Sequence, residues 1–253
     1  MCGRYVSAAE RSRIEQQFAA IPLTTEVLAP DYNVAPTKNV YAVMNRHEQR
    51  QLRIVQWGLI PSWAKDPKIG NKLINARLES AAEKPSFRKA FAKRRAILPA
   101  DGYYEWYTPE SPADSGQGSD SPKRKVKKQP FFIRPRDGQL MAMAGLYEIW
   151  RDKSIEDEDA PGAFRWTATV LTTSATDELG RIHDRMPLMV SPEHIEEWLD
   201  PELEEPPEGI LIPASPGLLE AFPVSTEVNN VRNDGPQLIQ PVAEEAPPAN
   251  GRF

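Results

Sequence analysis

The chain has 253 residues, of which 40% are hydrophobic, and its formal net charge is -5 at pH 7. No apolar run approaches the ~20 residues of a membrane span, and no basic segment followed by an apolar stretch opens the chain, so we expect neither membrane contact nor a signal peptide. The single cysteine excludes an internal disulfide framework, which predicts a cytoplasmic protein, or a nuclear one in a eukaryote, with a reduced thiol.

Short strands outnumber helices along the chain. A helix over Ala8 to Phe18 is followed by two apolar-rich runs, Val40 to Asn45 and Leu52 to Trp57, whose spacing indicates a hairpin. The later elements are a helix over Ser80 to Glu83 that leads towards Phe87–Lys93, strands over Arg95 to Pro99, Gly102 to Tyr107, Pro130 to Arg134, Leu140 to Trp150 and Trp166 to Thr173, and a helix over Pro192 to Leu199. This order predicts an α+β fold with a mostly antiparallel, barrel-like sheet and flanking helices.

Two segments lack the apolar pattern of folded structure. Residues 108–129 are rich in Ser, Pro, Gly and charge, and residues 152–162 are acidic. Because the first segment separates two predicted strands, we interpret it as a long loop inserted in a hairpin. We predict one domain over residues 1–240 that contains both loops, and a disordered tail over residues 241–253.

The charges are unevenly distributed. Residues 1–107 hold 17 Lys and Arg against 10 Asp and Glu, whereas residues 191–253 hold 2 against 13. The N-terminal part can therefore carry a phosphate-binding face, from which we expect the C-terminal third to stay away. Alternatively, the basic and acidic parts attract each other within the fold, and charge alone leaves both interpretations open.

Cys2 is a candidate reactive residue. Once Met1 is removed, one residue presents an α-amine with a pKa of ~7.7–8.0 and a thiol with a pKa of ~8.5, so both have reactive fractions at neutral pH. An aldehyde can form a Schiff base with the amine, after which the thiol closes a five-membered thiazolidine ring. A Met-Cys start also arises by chance, so this hypothesis depends on partner residues.

Three residues are candidate partners of Cys2. Asn75 opens the segment NARLES before a predicted helix. Glu105 lies in the strand-like segment LPADGYYEW, where alternation places it opposite Tyr104 and Trp106. A carboxylate buried there would be a candidate general acid or base, whereas a solvent-facing strand position is the alternative. His183, in HDRMP, precedes a proline, and a lone histidine in a turn is also compatible with a structural role.

Seven motifs occur in one order across residues 1–190: MCGRY at the start, YNVAPT from Tyr32, WGLIPSW from Trp57, NARLES, LPADGYYEW, GLYEIW and HDRMP. Together they resemble the SRAP family, the abasic-site processing proteins of bacteria and eukaryotes. The resemblance implies a single SRAP domain whose N-terminal cysteine becomes covalently linked to an abasic sugar in single-stranded DNA. Such a protein shields the lesion during replication.

The resemblance also implies roles for individual residues. Cys2 would form the thiazolidine, Asn75 would orient the amine or a sugar oxygen, and Glu105 would act as general acid/base while His183 assists near the sugar hydroxyl. The residues implied for DNA binding are Arg4, Arg77 and Arg185 on the phosphates, Trp106 and Trp63 stacked on flanking bases, and Pro36 in the same channel. Core packing is the alternative for both tryptophans.

We expect the partner to be single-stranded DNA with abasic sites, together with replication-fork proteins, and we expect a monomer that is nucleoid-associated in a bacterium. The sequence contains no phosphate-binding loop and no dinucleotide-binding motif, so we expect no nucleotide cofactor. The three histidines, His47, His183 and His194, and the one cysteine lack the spacing of zinc ligands, so we expect no metal. The run Lys123 to Lys128 either adds DNA affinity or is an ordinary solvated loop. Neither it nor the acidic stretch after Pro187 is expected to touch the site.

Other classes of protein remain as alternatives. An N-terminal nucleophile hydrolase of the glutamine amidotransferase type also begins with Cys-Gly and uses its α-amine as base. That class is expected to have Gly-rich glutamine-binding loops, which we do not find among the 14 glycines. A self-processing peptidase that releases Met1 is compatible with the covalent chemistry. A noncatalytic single-strand binder is the third alternative.

Overall fold

The computed structural model describes residues 2–109, 127–175, 179–206, 208–211 and 217–242. Its strands are β1 (Tyr5–Ser7), β2 (Ile21–Pro22), β3 (Asp31–Val34), β4 (Asn39–Arg46), β5 (Gln49–Trp57), β6 (Asn75–Arg77), β7 (Arg95–Ala100), β8 (Gly102–Tyr107), β9 (Gln129–Pro135), β10 (Met141–Arg151), β11 (Phe164–Ser174), β12 (Arg185–Pro187) and β13 (Leu219–Pro223). The α-helices are α1 (Arg11–Phe18), α2 (Leu78–Ala81), α3 (Arg88–Lys93), α4 (Leu179–Ile182) and α5 (Ile195–Leu199). Short 3-10 helices cover Pro67–Lys72, Pro192–His194, Glu208–Leu211, Thr226–Asn229 and Pro236–Ile239.

Five long strands close into a barrel. Strands β11, β10, β7, β4 and β5 follow one another as antiparallel neighbours, and a short parallel pairing of β5 with β11 closes the ring. His47 and Glu48 form the β4–β5 turn with φ values of 53° and 59°, the left-handed conformation of a tight hairpin turn. Closure gives hydrogen-bond partners to backbone N–H and C=O groups that would be unpaired at the edges of an open sheet.

A second, antiparallel sheet has the order β13-β9-β8-β1-β3. Side chains alternate between its two faces. Tyr5 and Tyr103 join the core inside the barrel, whereas Val6, Tyr104 and Phe132 form a separate core on the other face. The sheet therefore lies against the barrel, and the N-terminal residues are held between the two.

The barrel has an inner and an outer core. Inward-facing residues of the barrel strands include Trp57, fully buried in the inner core with Cys2. Helices cover the outside, where Phe18 of α1, Phe91 of α3 and Trp198 of α5 are buried. The nearly continuous apolar runs of strands such as β4 and β7 follow from this double burial.

The predicted α+β class with a barrel-like antiparallel core is confirmed. Helix α1 begins later than predicted, at Arg11, because the backbone N–H groups of Ala8 and Ala9 instead donate to the Asp101 carboxylate, at 2.7 and 3.1 Å. The predicted helix over Pro192 to Leu199 begins as a 3-10 turn before α5. The strands that were not predicted are at most five residues long, too short for a clear alternating pattern.

Part of the predicted loop over residues 108–129 lies outside the described residues, namely 110–126, and with it most of the basic run from Lys123. Its flanks, β8 and β9, pair as an antiparallel hairpin, and Gln129 already belongs to β9.

Residues 152–162 connect β10 with β11 without a helix or strand. Pro241 bridges to Val224, and residues 243–253 lie outside the described part. No helix among the described residues is long and apolar enough to cross a membrane.

Candidate active site around Cys2

Cys2 is completely buried in the inner core, between the barrel and the second sheet. Burial raises the pKa of its thiol far above the usual range, and the nearby charge of Glu105 raises this pKa further. The expectation that the thiol has a reactive thiolate fraction at neutral pH is therefore wrong for this buried conformation. A thiolate can form here only if a neighbouring group takes its proton.

Asn75 holds the backbone of Cys2. Its Nδ2 donates to the Cys2 carbonyl oxygen at 2.7 Å, and its position on β6 is set by parallel pairing with Val170 of β11. The Oδ1 atom of Asn75 is buried and accepts no hydrogen bond from the part of the chain that the structure describes. The side chain thus fixes the Cys2 peptide and keeps an acceptor for a further donor.

Glu105 lies on the same side of β8 as Tyr103, opposite Tyr104 and Trp106. Only 3% of Glu105 is exposed, which decides against a solvent-facing position. Its charge raises the pKa values of the Cys2 thiol and of the Tyr103 phenol, so the carboxylate lies within electrostatic range of both groups. The structure therefore places a buried carboxylate within electrostatic range of the thiol.

His183 follows helix α4, which packs against β8. Its Nδ1 accepts a hydrogen bond from the backbone N–H of Arg185 at 3.0 Å, which assigns the proton of the neutral ring to Nε2. The Asp184 carboxylate lies 2.8 Å from the same Nδ1 and can accept from it only in a form in which Nδ1 carries a proton and does not accept from Arg185. This arrangement leaves Nε2 as the donor of the neutral ring.

The three arginines predicted to bind phosphates differ in their contacts. Arg4 donates to Asn33 Oδ1 at 2.7 Å and to the Val228 carbonyl at 3.0 Å, and burial lowers its pKa. Arg185 forms a two-pronged ion pair with Glu79, at 2.5 and 2.9 Å. Arg77, by contrast, is exposed at the end of β6, and no hydrogen bond or ion pair within the described residues engages its guanidinium. Arg77 is consequently the most accessible of the three.

The predicted stacking residues lie in different environments. Trp106 is half-buried, and its Nε1 donates to Asn229 Oδ1 at 2.6 Å. Trp63 is 55% exposed, with Nε1 3.4 Å from the Pro85 carbonyl oxygen. Pro36 is partly buried in the turn before β4. Of the two tryptophans, Trp63 thus presents more surface to a ligand.

The stretch after Pro187 does reach the site, contrary to the sequence-based expectation. Asn33 is fully buried, and its Nδ2 donates to the carbonyl oxygens of three residues of the segment 228–233, at 2.8–3.3 Å. The same segment accepts from Arg4 and Trp106. Buried donors need acceptors, and these backbone carbonyls supply them although the segment lies more than 190 residues away in the chain.

Two phenols near Cys2 were not singled out from the sequence. The pKa values of Tyr5 and Tyr103 are raised first by burial and next by the charge of Cys2. The Tyr5 ring packs edge-on against Trp57, with 5.0 Å between centroids. Tyr103 could have been found from its alternation with Glu105, whereas only the fold brings Tyr5 beside them.

No group of three or more His, Cys, Asp or Glu residues suited to a metal ion occurs among the described residues. The side chains that meet around Cys2 are an amide, a carboxylate and two phenols. They can hold the N-terminal residue and move protons. The thiol, and an α-amine once Met1 is absent, would be the nucleophiles.

A family model described as SOS response associated peptidase (SRAP) matches residues 1–231. The chain is 38% identical over 243 residues to the abasic site processing protein YoqW of Bacillus subtilis (strain 168), which covers 95% of this chain and 99% of that protein. It is 36% identical over 252 residues to YedK of Escherichia coli (strain K12), also named an abasic site processing protein, with 96% and 100% covered. A solved structure from Bacteroides thetaiotaomicron has the same fold, with a TM-score of 0.75 at 24% identity, and covers 96% of this chain and 100% of that one.

Proposed function

The chain belongs to the SOS response associated peptidase (SRAP) family, and from this membership we propose that it recognises abasic sites in single-stranded DNA and links them covalently to Cys2. The observation that carries the proposal is the placement of Cys2: its peptide is held by Asn75, and its thiol lies near the buried Glu105. The adduct would shield the lesion until replication has passed.

The proposed reaction uses both nucleophiles of a processed N-terminus. After loss of Met1, the α-amine of Cys2 adds to the C1′ aldehyde of the ring-opened sugar, and loss of one water gives a Schiff base. The thiol then adds across the C=N bond, its proton passes to the nitrogen, and a thiazolidine results. The two steps release one water in total and involve no oxidant or reductant.

Glu105 is the proposed general acid/base. A buried neutral thiol needs a base close by, and the carboxylate can accept the thiol proton and return it to nitrogen. The same group can open the closed sugar to its aldehyde. His183 would donate through Nε2 near the sugar hydroxyl, and the free Oδ1 of Asn75 would orient the amine.

DNA would be held by charge and stacking. Arg77 offers an accessible guanidinium to a phosphate, whereas Arg4 and Arg185 would have to share donors that already have protein partners. Trp63 and Trp106 would stack on the flanking bases, and Pro36 would line the channel. Base–aromatic stacking contributes ~1–3 kcal/mol per base without sequence preference, which suits a lesion that can occur anywhere.

The test is a denaturing gel. The protein, with Met1 absent by mass spectrometry, is incubated with an abasic-site oligonucleotide and no reductant, and we expect a band that resists heat and SDS. A tetrahydrofuran analogue, which cannot open to an aldehyde, and the Cys2→Ala variant should give no such band. Absence of the band with the natural abasic site would overturn the proposal.

A matched form that retains Met1 separates the two nucleophiles. Its thiol is intact but its α-amine belongs to another residue, so we expect no adduct. An adduct of normal yield from this form would mean that the thiol acts alone.

Self-processing is a second candidate activity, favoured by the word peptidase in the description of the matched family. Cys2 would then release Met1 itself. Expressed in cells that lack methionine aminopeptidase activity, the natural chain should still lose Met1, and Cys2→Ala should keep it. Retention of Met1 by both would exclude self-processing without affecting the covalent proposal.

A further inference from the structure

A groove opens on the barrel where two of its strands separate. Strands β5 and β11 pair only through Gln56 with Thr167 and Trp57 with Ala168, and a cavity of about 370 Å³ lies beside this pairing. The groove is lined by Phe164 to Trp166 of β11, whereas Asn75 pairs with Val170 farther along the same strand. The short pairing of β5 with β11 thus lies between the groove and the Asn75 end of β11.

Two arginines share the ring of Trp166, which lines this groove. Arg53 is itself a lining residue, whereas Arg46 is not and is linked to the groove through that ring. The guanidinium carbon of Arg53 lies 4.0 Å from the centroid of the Trp166 ring, and that of Arg46 lies 5.4 Å from it. Tyr147 stacks on the same ring with 5.9 Å between centroids. Aromatic stacking holds both charges in place, yet it leaves the polar edges of the guanidinium groups available.

The two guanidinium groups have no carboxylate partner in the described part of the chain. Arg53 donates from Nε to Gln51 at 2.9 Å, and its pKa is lowered first by burial and next by the charge of Arg46. The arginines that do contact a carboxylate are Arg11, Arg50, Arg94, Arg134, Arg136, Arg151, Arg165 and Arg185. Two unpaired like charges held this close favour binding of an anion between or beside them.

The rest of the lining suits a flat heterocycle attached to that anion. Phe164 is 45% exposed, with the guanidinium carbon of Arg151 5.5 Å from its ring centroid, so one ring face remains for a base. The amides of Asn39 and Gln56 provide both donors and acceptors. Glu26 is the carboxylate among the lining residues, on an exposed loop at the rim. The volume lies within the range of ~300–1,000 Å³ typical of small-molecule sites.

We propose that this groove is a noncovalent nucleotide-binding site that is separate from Cys2. The phosphate contacts Arg53 and Arg46, whose forked donors match its oxygens, and the base stacks on Phe164. The nucleotide comes either from solution or from within a single strand, and the two sources share this chemistry.

The test uses the full-length protein, because none of the three probes contains an aldehyde that could react with Cys2. Titration calorimetry at low salt measures binding of dAMP, of inorganic phosphate and of a short oligo-dT. We expect dAMP or the oligonucleotide to bind more tightly than phosphate. Arg53→Met, which keeps the aliphatic stem, should weaken this binding about 10-fold, the loss expected for a charge-assisted hydrogen bond.

Arg134→Met is the matched control. Arg134 also stacks on an aromatic ring, at 5.2 Å from the Phe222 centroid, but it is already paired with Glu220. Its replacement should leave binding unchanged. Glu26→Gln should strengthen binding about twofold to threefold, because it removes the opposing charge, an effect of the size seen for exposed charge pairs.

The groove is assigned to a strand if only the oligonucleotide binds and Arg53→Met weakens that binding in a protein that also carries Arg77→Ala, which removes the proposed phosphate contact near Cys2. It is assigned to free nucleotides if dAMP binds equally well. The proposal is overturned if no probe binds at millimolar concentration, if phosphate binds as well as dAMP, or if Arg53→Met binds like the natural chain. Should Arg53→Met melt at a lower temperature than the natural chain, Arg46→Met provides the same comparison.

Discussion

At the scale of single residues, the environment of Cys2 determines what its chemistry requires. A solvent-exposed thiol would ionise near neutral pH, whereas this one is buried and its pKa is raised by burial and by Glu105. Proton transfer within the site is therefore part of the proposed reaction. The groups that can take part are the carboxylate of Glu105 and the phenols of Tyr5 and Tyr103.

The first prediction concerns Glu105. Glu105→Gln keeps the shape of the side chain but removes its ability to exchange a proton, so adduct formation should slow by about 100-fold or more, within the range of general acid–base catalysis. Binding of an oligonucleotide without an abasic site should change much less. The rate is measured by quenched gel time courses, and binding by fluorescence anisotropy.

Glu148→Gln is the control for this variant. Glu148 is also a buried strand glutamate, but it pairs with Arg94 at 2.8 Å. Its replacement should leave the adduct rate unchanged in the folded protein. Equal rates for Glu105→Gln and the natural chain would remove Glu105 from the mechanism.

The second prediction concerns Arg77. Because its guanidinium is exposed and has no partner among the described residues, Arg77→Ala should weaken binding of single-stranded DNA. The slope of log K against log salt should also fall by about 0.7, the value for one phosphate contact on a single strand. Arg88→Ala, on the outer helix α3, should change neither quantity. An unchanged slope for Arg77→Ala would mean that Arg77 contacts no phosphate.

At the scale of elements, short strands and a distant segment position the site. Strand β6 has three residues, and its pairing with β11 sets the direction of Asn75. Strand β3 presents Asn33, which ties the segment 228–233 to Arg4. Neither element has enough residues to be stable alone, so tertiary hydrogen bonds hold both in place.

The third prediction concerns this tie. Asn33→Ala would remove one of the hydrogen bonds of Arg4 and one from each of three carbonyl oxygens. We expect a loss of about 3 kcal/mol in the free energy of unfolding, because each lost hydrogen bond contributes ~0.5–1.5 kcal/mol. Urea unfolding followed by tryptophan fluorescence measures the loss. Asn39→Ala, at an exposed position of β4, should cost less than ~0.5 kcal/mol. A similar small cost for Asn33→Ala would contradict the assigned role.

At the scale of the whole molecule, the uneven charge distribution is partly balanced by contacts between the two ends of the chain. Arg50 pairs with Glu196 at 2.5 Å, and Lys93 with Glu204 at 3.7 Å. Both carboxylates are largely exposed, so each pair contributes only ~0–1 kcal/mol. Two of the C-terminal acidic residues therefore have basic partners from the first half of the chain, and the segment 228–233 packs directly beside Arg4.

The fourth prediction is a loss of stability at alkaline pH. The pKa of the Cys2 thiol is higher in the folded protein than in the unfolded chain. The stabilisation of the folded state by this neutral buried thiol is therefore fully present below the unfolded pKa. It is lost as the pH rises above that value, because the unfolded chain ionises first. Between pH ~8.5 and ~9.5 this group alone should remove about 1 kcal/mol from the free energy of unfolding.

Urea unfolding at both pH values, with reductant, measures this effect. In Cys2→Ala the loss over the same interval should be smaller by about the same amount, ~1 kcal/mol. The buried tyrosines add a further loss only above pH ~10, the unfolded pKa of a phenol. Identical pH profiles for the two proteins would show that Cys2 is not buried as a neutral thiol in solution.

Much of the barrel could be predicted from the sequence because a strand's alternation and a hairpin's turn are local properties. Strands β4, β5 and β7 to β11 were found near their true ends, and the alternation around Glu105 separated it from Tyr104 as predicted. Short strands such as β6 could not be found in this way, since their residues are selected by pairing partners far away in the chain. The seven motifs identified the family independently of any of these elements.

The α+β class, the family and the candidate residues follow from the sequence alone, because they depend on local pattern and on residue identity. The burial of Cys2, the hydrogen bond from Asn75 to its carbonyl, the partners of Arg4 and Arg185 and the approach of the segment 228–233 are known only from the folded structure. Burial and partnership result from non-local packing, which local pattern does not encode. The pairing of β5 with β11 and the groove beside it have the same origin.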